Sequence, residues 1–373
     1  MAKRVQARLA ADQVDKLIRV LARRDYEVFG PVVRDGAVVY DSVEALRDLP
    51  QGHTDEQCAG RYRLNPPQGD ALFAYAVGPQ SWKKYLHPPR VRLFQAEQKE
   101  GVFRILNDAA TTSKRKAFIG VRACELAAIQ IQDRVLLNGL CQDPIYRARR
   151  DGLFFVAVQC THASGTCFCA SMGTGPRVRT ADADLTLTEV VTEKDHWLLV
   201  EPGTNAGREV LAELDQQQAS DDDREFATRA VEAAASQQAR QMDTTGIQEL
   251  LSTNFEHPRW EQIAERCMGC ANCTMVCPTC FCTTVEDVTD LTGEHAERWR
   301  VWDSCLTTNF SFIHGGSIRT SGKAKFRQWI THKLSAWIDQ FGSSGCVGCG
   351  RCITWCPAGI DITEEIRSIR GAV

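Results

Sequence analysis

The stretch CMGCANCTMVCP at residues 267–278 and the stretch CVGCGRCITWCP at residues 346–357 share one arrangement of cysteines. In each run, three cysteines are separated by two residues, a fourth follows after three more, and a proline comes next. This C-x2-C-x2-C-x3-C-P spacing is typical of chains that bind two [4Fe–4S] clusters. Three close thiolates let a short loop wrap three corners of a cubane, and the fourth points to the other cluster.

The spacing therefore predicts two ligand sets that exchange their fourth cysteine. The first cluster is assigned to Cys267, Cys270, Cys273 and Cys356. The second cluster is assigned to Cys346, Cys349, Cys352 and Cys277. Gly269, Gly348 and Gly350 agree with this assignment, because a chain wrapped tightly on a cluster needs residues that tolerate positive φ.

Two other cysteine chemistries compete with the cluster interpretation. Zinc ribbons also use C-x2-C pairs, but a longer spacer separates their two pairs so that a tetrahedron can close. A disulfide framework suits small secreted chains, whereas this chain has 373 residues and begins MAKRVQARLAADQVDKL, without the apolar stretch of a secretory signal. The duplicated run favours clusters over both alternatives.

Composition excludes several classes of protein. A formal net charge of −3 and the lack of a basic stripe give no case for nucleic-acid binding. No apolar run approaches the roughly 20 residues of a membrane helix. Seventeen cysteines without an export signal indicate a reducing compartment and metal ligation. We expect a cytoplasmic protein that has neither nucleic acid nor membrane as a partner.

The pattern along the chain predicts an α+β fold. Residues 1–204 are expected to form an N-terminal α/β domain, and residues 205–260 a polar helical connector. Residues 261–373 are expected to form a mostly α-helical, ferredoxin-like domain with two [4Fe–4S] clusters and a long insert at 283–345. The apolar runs KAFIGV and LFFVAV, with helical periodicity between them, predict a βαβ unit. Residues 72–77 are predicted as a buried strand, residues 7–24 as a helix, and residues 324–341 as an amphipathic helix.

Four further cysteines form a third set. Cys124 follows KAFIGV and Cys160 follows LFFVAV, so parallel neighbouring strands would bring both to one edge of the sheet. Cys167 and Cys169 lie in the loop just after. We expect a third [4Fe–4S] cluster on Cys124, Cys160, Cys167 and Cys169. Buried apolar thiols and a zinc site are the alternatives.

The remaining cysteines give weaker signals. Cys280 and Cys282, with Cys305, form a set of three close to the first run, and they could extend a cluster or pack beside Cys277. Three thiols without a fourth ligand favour packing. Cys58 and Cys141 carry no pattern and are interpreted as structural.

Motifs for other cofactors are missing. No G-x-G-x-x-G follows a strand, and no P-loop or nucleophile elbow is present. The sequence therefore predicts neither a flavin or nicotinamide site nor a catalytic site on this chain. Clusters without local bond chemistry indicate an electron carrier.

Several segments, taken in order, go beyond a generic ferredoxin. They are GVRACELAAI, CTHASGTCFCASMGTGP, CPTCFC, WDSC, FIHGGSIRTSGKAKFRQWITHKLS and CVGCGRCITWCPAGIDITEE. Together they resemble the iron–sulfur beta subunit of cytoplasmic, multisubunit nickel–iron hydrogenases of the sulfhydrogenase type, from about residue 72 to the C-terminus. The iron–sulfur subunit of anaerobic sulfite reductases is similar. Where the family usually has a proline before the cysteine of the first segment, this chain has Ala123.

The resemblance implies a subunit of a hetero-oligomeric oxidoreductase. In such complexes a flavin subunit docks NAD(P)H, and a small and a large subunit form the nickel–iron hydrogenase module. The beta subunit would carry electrons between them. The sulfite-reductase subunit is the nearest alternative function, and a stand-alone ferredoxin-like carrier is another.

Overall fold

The computed structural model describes residues 6–106 and 114–371. Its strands are β1 (Ala7–Ala10), β2 (Glu27–Arg34), β3 (Ala37–Ser42), β4 (Asp55–Cys58), β5 (Arg61–Leu64), β6 (Arg90–Lys99), β7 (Val102–Leu106), β8 (Lys116–Val121), β9 (Phe154–Val158), β10 (Leu185–Val191), β11 (His196–Pro202), β12 (Gln217–Gln218), β13 (Thr283–Thr289), β14 (His295–Trp302), β15 (Phe312–Ile313) and β16 (Gly316–Ser317).

Its α-helices are α1 (Gln13–Arg23), α2 (Lys83–Leu86), α3 (Ala123–Leu136), α4 (Pro144–Arg150), α5 (Asn205–Ala212), α6 (Asp221–Ser236), α7 (Ile247–Thr253), α8 (Arg259–Arg266), α9 (Asn272–Met275), α10 (Gly322–Thr331), α11 (Trp337–Phe341), α12 (Arg351–Thr354) and α13 (Ile362–Arg370). Short 3-10 turns occur at Leu46–Asp48 and Thr180–Asp182, and a π-helical segment, His332–Ala336, joins α10 to α11. The mixture of helices and sheets confirms the α+β class.

The main sheet lies in the N-terminal half and has the strand order β12-β1-β11-β10-β9-β8-β2-β3. Strands β2, β8, β9 and β10 are parallel neighbours, and the outer strands pair antiparallel. KAFIGV forms β8, LFFVAV supplies β9, and α3 lies between them in the chain. The predicted βαβ unit is therefore confirmed.

Helices cover both faces of the main sheet, which is why the central strands β8 and β9 are almost entirely apolar. On β8, Ala117 and Ile119 belong to a core that includes apolar residues of α1 and α5. Phe118 and Val121 belong to a second core that includes residues of α3 and α4. Helix α6 also packs on β10 and β11. The helical segment predicted as a connector is thus partly a layer of the N-terminal fold.

A second sheet joins distant parts of the chain. Its order is β13-β14-β6-β7, and every pairing in it is antiparallel. Strands β13 and β14 come from the insert between the two cysteine runs, while β6 and β7 come from the N-terminal half. The insert therefore contacts the N-terminal fold through a strand ladder, and these four strands were not predicted from the sequence.

The C-terminal half is helical around the cysteine runs. Helices α7, α8, α10, α12 and α13 contribute to one apolar core, and several of the cysteines pack against it. The segment from α10 through the π turn to α11 covers residues 322–341, so the predicted amphipathic helix is confirmed.

Two local predictions are wrong. Residues 7–10 are the strand β1, and helix α1 begins only at Gln13. Residues 72–77 are buried except for the half-buried Ala74, and they form no strand. Charged side chains form the backbone hydrogen bonds that a neighbouring strand would otherwise form. The Glu189 carboxylate accepts from the amides of Leu72 and Phe73, and Arg122 donates to the carbonyl of Phe73. An apolar run can thus be buried without a strand partner when charged groups satisfy its backbone.

Candidate metal centres

Both cysteine runs adopt the same local backbone. Gly269 (φ 64°) and Ala271 (φ 63°) are left-handed in the first run, and Gly348 (φ 62°) and Gly350 (φ 75°) hold the matching positions in the second. A short helix follows each pair, α9 in the first run and α12 in the second. Glycine tolerates this conformation, whereas a residue with a Cβ is destabilised by about 1–2 kcal/mol. The two runs therefore form matching loops.

The thiols predicted for the first cluster line one cavity, together with apolar side chains such as Leu306 and Trp329. These thiols are Cys267, Cys270, Cys273 and Cys356. Burial raises the pKa of the Cys273 thiol, and the thiols of Cys356, Cys267 and Cys270 raise it further. Cys352 of the second run lines the same cavity. Metal ions deprotonate the thiols that coordinate them, so a cavity lined by thiols fits a metal cofactor.

The thiols predicted for the second cluster also lie together, although Cys277 comes from the first run. Burial raises the pKa of the Cys352 thiol, and the thiols of Cys346, Cys349 and Cys277 raise it further. Burial likewise raises the pKa of Cys346 to about 12. The amide of Gly348 donates to the Cys346 sulfur at 3.5 Å. Cys277 is the fourth cysteine of its run, and the structure places it beside the cysteines of the other run, in the group that the spacing predicts. A fourth cysteine that joins the set of the other run is called the crossover cysteine.

The arrangement of the described side chains bears on the zinc alternative. Within residues 6–106 and 114–371, no three Cys, His, Asp or Glu side chains stand close enough to share a single metal ion. A zinc ion needs its sulfur ligands at about 2.3 Å from one centre. The four ligands of a cubane bind different iron atoms and stand farther apart. The described side chains therefore do not converge on one point as the ligands of a zinc ion do.

The third set gathers at one end of the main sheet. Cys124 lies in the first turn of α3 after β8, Cys160 follows the parallel strand β9, and Cys167 and Cys169 lie in the next loop. Burial raises the pKa of the Cys167 thiol, and the thiols of Cys169 and Cys160 raise it further. Burial raises the pKa of Cys169 to about 12, and the Cys160 thiol is the second cause of this rise. The predicted sheet-edge arrangement places these thiols within electrostatic reach of each other.

Polar side chains approach two of these sulfurs. Arg122 is buried, and its Nη1 lies 3.9 Å from the Cys160 Sγ while its Nη2 donates to the carbonyl of Phe73 at 2.8 Å. The Nε2 of Gln238 donates to the Cys169 Sγ at 3.1 Å. Such donors orient ligands and stabilise negative charge on sulfur.

The loop that carries the third set packs directly on the second run. The amide of Phe168 donates to the carbonyl of Gly348 at 2.9 Å. A Cβ on Gly348 would lie 2.7 Å from the Cα of Cys169, and one on Gly350 would lie 2.4 Å from the carbonyl oxygen of Thr166. Both glycines are therefore needed for close approach as well as for positive φ.

A buried ion pair also connects the region of the third cysteine set to the second run. Glu125 directly follows the first cysteine of the third set, and Arg351 lies inside the second run. The guanidinium of Arg351 donates to the Glu125 carboxylate at 2.6 Å, and the two side chains are 0% and 1% exposed. The hydroxyl of Tyr40 donates to the same carboxylate at 2.9 Å and the Nε1 of Trp82 at 3.1 Å. This pair was not identified from the sequence, because 226 residues separate its members.

Two buried lysines beside the cysteines were also missed. Lys333 Nζ lies 3.1 Å from the Cys277 Sγ, and Lys83 Nζ donates to the carbonyl of Cys280 at 3.1 Å. A sequence signal existed for Lys333, because it falls between Trp329 and Trp337 at helical i, i+4 spacing on the buried face. A lysine in an apolar stripe indicates a buried charge that needs a partner.

The other cysteines near the first run form contacting pairs. Cys280 contacts the Cys277 thiol, and Cys282 contacts Cys305. The hydrogen bond from Cys305 is the largest cause that lowers the pKa of Cys282, to about 7. Cys280 thus packs beside Cys277, which is the arrangement that the sequence favours. Cys58 and Cys141 are exposed.

Comparison with known proteins agrees with this geometry. Residues 266–360 match the family of 4Fe-4S dicluster domains. The chain is thus an iron–sulfur protein whose two cysteine runs belong to one dicluster domain. Over 348 residues, 92% of each chain, it is 29% identical to sulfhydrogenase 2 subunit beta of Pyrococcus furiosus. The resemblance expected from the sequence segments is therefore confirmed.

Two negative findings accompany these similarities. No solved structure matches the chain. In the part of the chain that the structure describes, no helix is both long enough and apolar enough to cross a membrane.

Proposed function

We propose that this chain is the electron-transfer subunit of a multisubunit, hydrogenase-type oxidoreductase and that it binds three [4Fe–4S] clusters. The first would be held by Cys267, Cys270, Cys273 and Cys356. The second would be held by Cys346, Cys349, Cys352 and Cys277. The third would be held by Cys124, Cys160, Cys167 and Cys169.

The main support for the proposal is that cysteines of the second set lie next to cysteines of both other sets. Cys349, in the second set, belongs to the same buried cluster as Cys124 and Cys169 of the third. Cys352, also in the second set, lines the same cavity as the four thiols of the first. The second set therefore lies between the other two, as a relay requires.

Bound [4Fe–4S] clusters supply one-electron transfer. The protein would fix their ligands, exclude water from the inner sets and leave one end accessible. Cys124, Cys169, Cys277 and Cys349 are buried, whereas Cys270 of the first set is exposed. The first set is thus the end at which a partner can approach most closely.

The partners follow from the similarity to a subunit of a sulfhydrogenase. We expect a hetero-oligomer in which a flavin subunit binds NAD(P)H, while the small and large subunits of a nickel–iron hydrogenase carry the catalytic centre. This chain would hold neither flavin nor nicotinamide and would have no catalytic site of its own. We expect it in the cytoplasm, where its thiols stay reduced.

Iron analysis tests the number of clusters. The anaerobically purified chain should contain about twelve irons and as many acid-labile sulfides, four for each cluster. A Cys160→Ser, Cys167→Ser chain should keep about eight irons, and the exposed Cys141→Ser control should keep about twelve. About eight irons in the unmodified chain, unchanged in the double variant, would refute the third cluster.

Copurification tests the partners. A tagged chain isolated from native extract should bring both a flavin-containing and a nickel-containing subunit, identified by native mass spectrometry. A siroheme subunit in their place would show the alternative function, the iron–sulfur subunit of an anaerobic sulfite reductase. A stable monomer would instead favour a stand-alone carrier.

A further inference from the structure

Lys333 occupies an unusual position in the backbone. It lies in the π-helical segment His332–Ala336, where the helix widens by one residue between α10 and α11. Segments of this kind often mark functional sites. The side chain is buried, with 5% of the residue exposed. The wider turn thus directs a lysine side chain into the interior of the protein. The neighbouring buried residues of the same helix are aromatic or aliphatic.

All three donors of the Lys333 ammonium have partners. Nζ lies 3.1 Å from the Cys277 Sγ, 2.7 Å from the Thr279 Oγ1 and 3.3 Å from the carbonyl oxygen of Gly345. The Thr279 hydroxyl in turn donates to Gly345 at 2.7 Å. The backbone carbonyl of Lys333 also accepts from the amide of Gly345 at 2.7 Å. Lys333 therefore joins the end of the first run to the residue that precedes Cys346.

The contacts of this ammonium are to a sulfur, a hydroxyl and a carbonyl oxygen. The thiols of Cys277, Cys280 and Cys346 are its main electrostatic neighbours. A buried ammonium is costly unless an anion compensates it. Sulfur ligands of a negatively charged cluster would provide that anion.

The matching position of the first set is different. Cys356, the crossover cysteine there, accepts a hydrogen bond from the backbone amide of Ile360 at 3.4 Å. A neutral amide thus stands where the second set has an ammonium. Two runs with the same spacing therefore differ in the charge beside their crossover sulfur.

We propose that Lys333 is a positioning residue that raises the reduction potential of the second cluster above that of the first. The inference rests on the proposed function, in which Cys277 ligates the second cluster. A fixed positive charge and an N–H···S hydrogen bond both stabilise the added electron, and hydrogen bonds to sulfur and local charge set cluster potentials. An electron shared by these two clusters would then reside mainly on the second.

Potentiometric EPR titration of the whole chain tests the inference. The signal of the second cluster is identified by its loss in a Cys346→Ser chain. In Lys333→Met, the ratio of reduced to oxidised second cluster at a fixed ambient potential should fall at least tenfold, which is a midpoint shift of about −59 mV for one electron. Lys333→Arg, which keeps the charge, should shift less. Lys325→Met removes a lysine of α10 whose Nζ contacts the Thr308 hydroxyl, and it should shift no cluster.

The outcomes separate this inference from the proposed function. An unchanged second-cluster potential in Lys333→Met, with the iron content intact, would overturn the inference and leave the clusters in place. If that variant loses iron, Lys333→Gln replaces it, since Gln keeps a donor without the charge and a fall in the ratio is still expected. A Cys277→Ser chain that keeps all its iron would instead refute the ligand assignment.

Discussion

Replacing Arg351 with methionine should destabilise the folded chain by several kcal/mol, because it leaves the Glu125 carboxylate buried without its cation. The two side chains are almost fully enclosed and lie 2.6 Å apart. Burial opposes the charge on Arg351, but Glu125 outweighs it and the pKa of Arg351 is raised. Arg351 therefore stays charged, and removing either member of the pair exposes the desolvation cost of the other.

The magnitude follows from the contacts that remain. Truncating one partner of a buried ion pair typically costs about 3–5 kcal/mol. Glu125 keeps the hydrogen bonds from Tyr40 and Trp82, which places the loss near the lower end. The carbonyls of Gly78 and Gln80 lose their bonds from the Arg351 Nε, which adds to it. We expect about 3–4 kcal/mol for Arg351→Met.

Urea denaturation under anaerobic conditions, followed by tryptophan fluorescence, measures this loss. Asp287→Asn is the matched control, because it breaks an Arg–carboxylate pair of equal length, 2.6 Å, whose side chains are 44% and 60% exposed. Exposed pairs contribute about 0–1 kcal/mol. The double variant Arg351→Met, Glu125→Leu should cost less than the sum of its single variants, since neither charge is then left alone.

A stability of Arg351→Met within about 1 kcal/mol of the unmodified chain would refute this reasoning, and so would a cost no greater than that of Asp287→Asn. Additive losses in the double variant would also contradict it, because the pair would then not be coupled. Iron content is measured in parallel, since Arg351 lies between two proposed ligands. A loss of stability that appears only in preparations with less iron would point to the cluster rather than to the ion pair.

Two further predictions concern packing and pH. Gly269→Ala should cost only about 1–2 kcal/mol for positive φ, since nothing lies within 4 Å of the new Cβ. Gly348→Ala should cost clearly more, because its Cβ would meet Cys169 at 2.7 Å; equal urea midpoints would contradict this. Burial lowers the pKa of His87 to about 3. Unfolding then takes up a proton below pH 6.5, so stability falls by about 1.4 kcal/mol for each pH unit toward acid. Thermal unfolding should show that the stability of His87→Phe rises relative to that of the unmodified chain between pH 6.5 and pH 5; an unchanged difference would contradict the prediction.

Local patterns predicted much of the fold. KAFIGV and LFFVAV are strands because apolar, β-branched runs fit a sheet covered on both faces. The cysteine pair after those strands could be placed at one edge because parallel strands share their direction. The segment at 72–77 was mispredicted, since the groups that satisfy its backbone, Glu189 and Arg122, lie far away in sequence. The pairing of β14 with β6 escaped prediction for the same reason.

By itself, the sequence determined the chemistry of this protein. Thiolate spacing within each run is a local property, and it indicates iron–sulfur clusters whatever the rest of the chain does. Only the tertiary structure decided how the thiol sets lie against one another and which charges stand beside them. Lys333 and Cys277 are 56 residues apart, and Arg351 and Glu125 are 226 apart. Contacts at that separation depend on how whole elements pack, and no spacing rule within a segment encodes them.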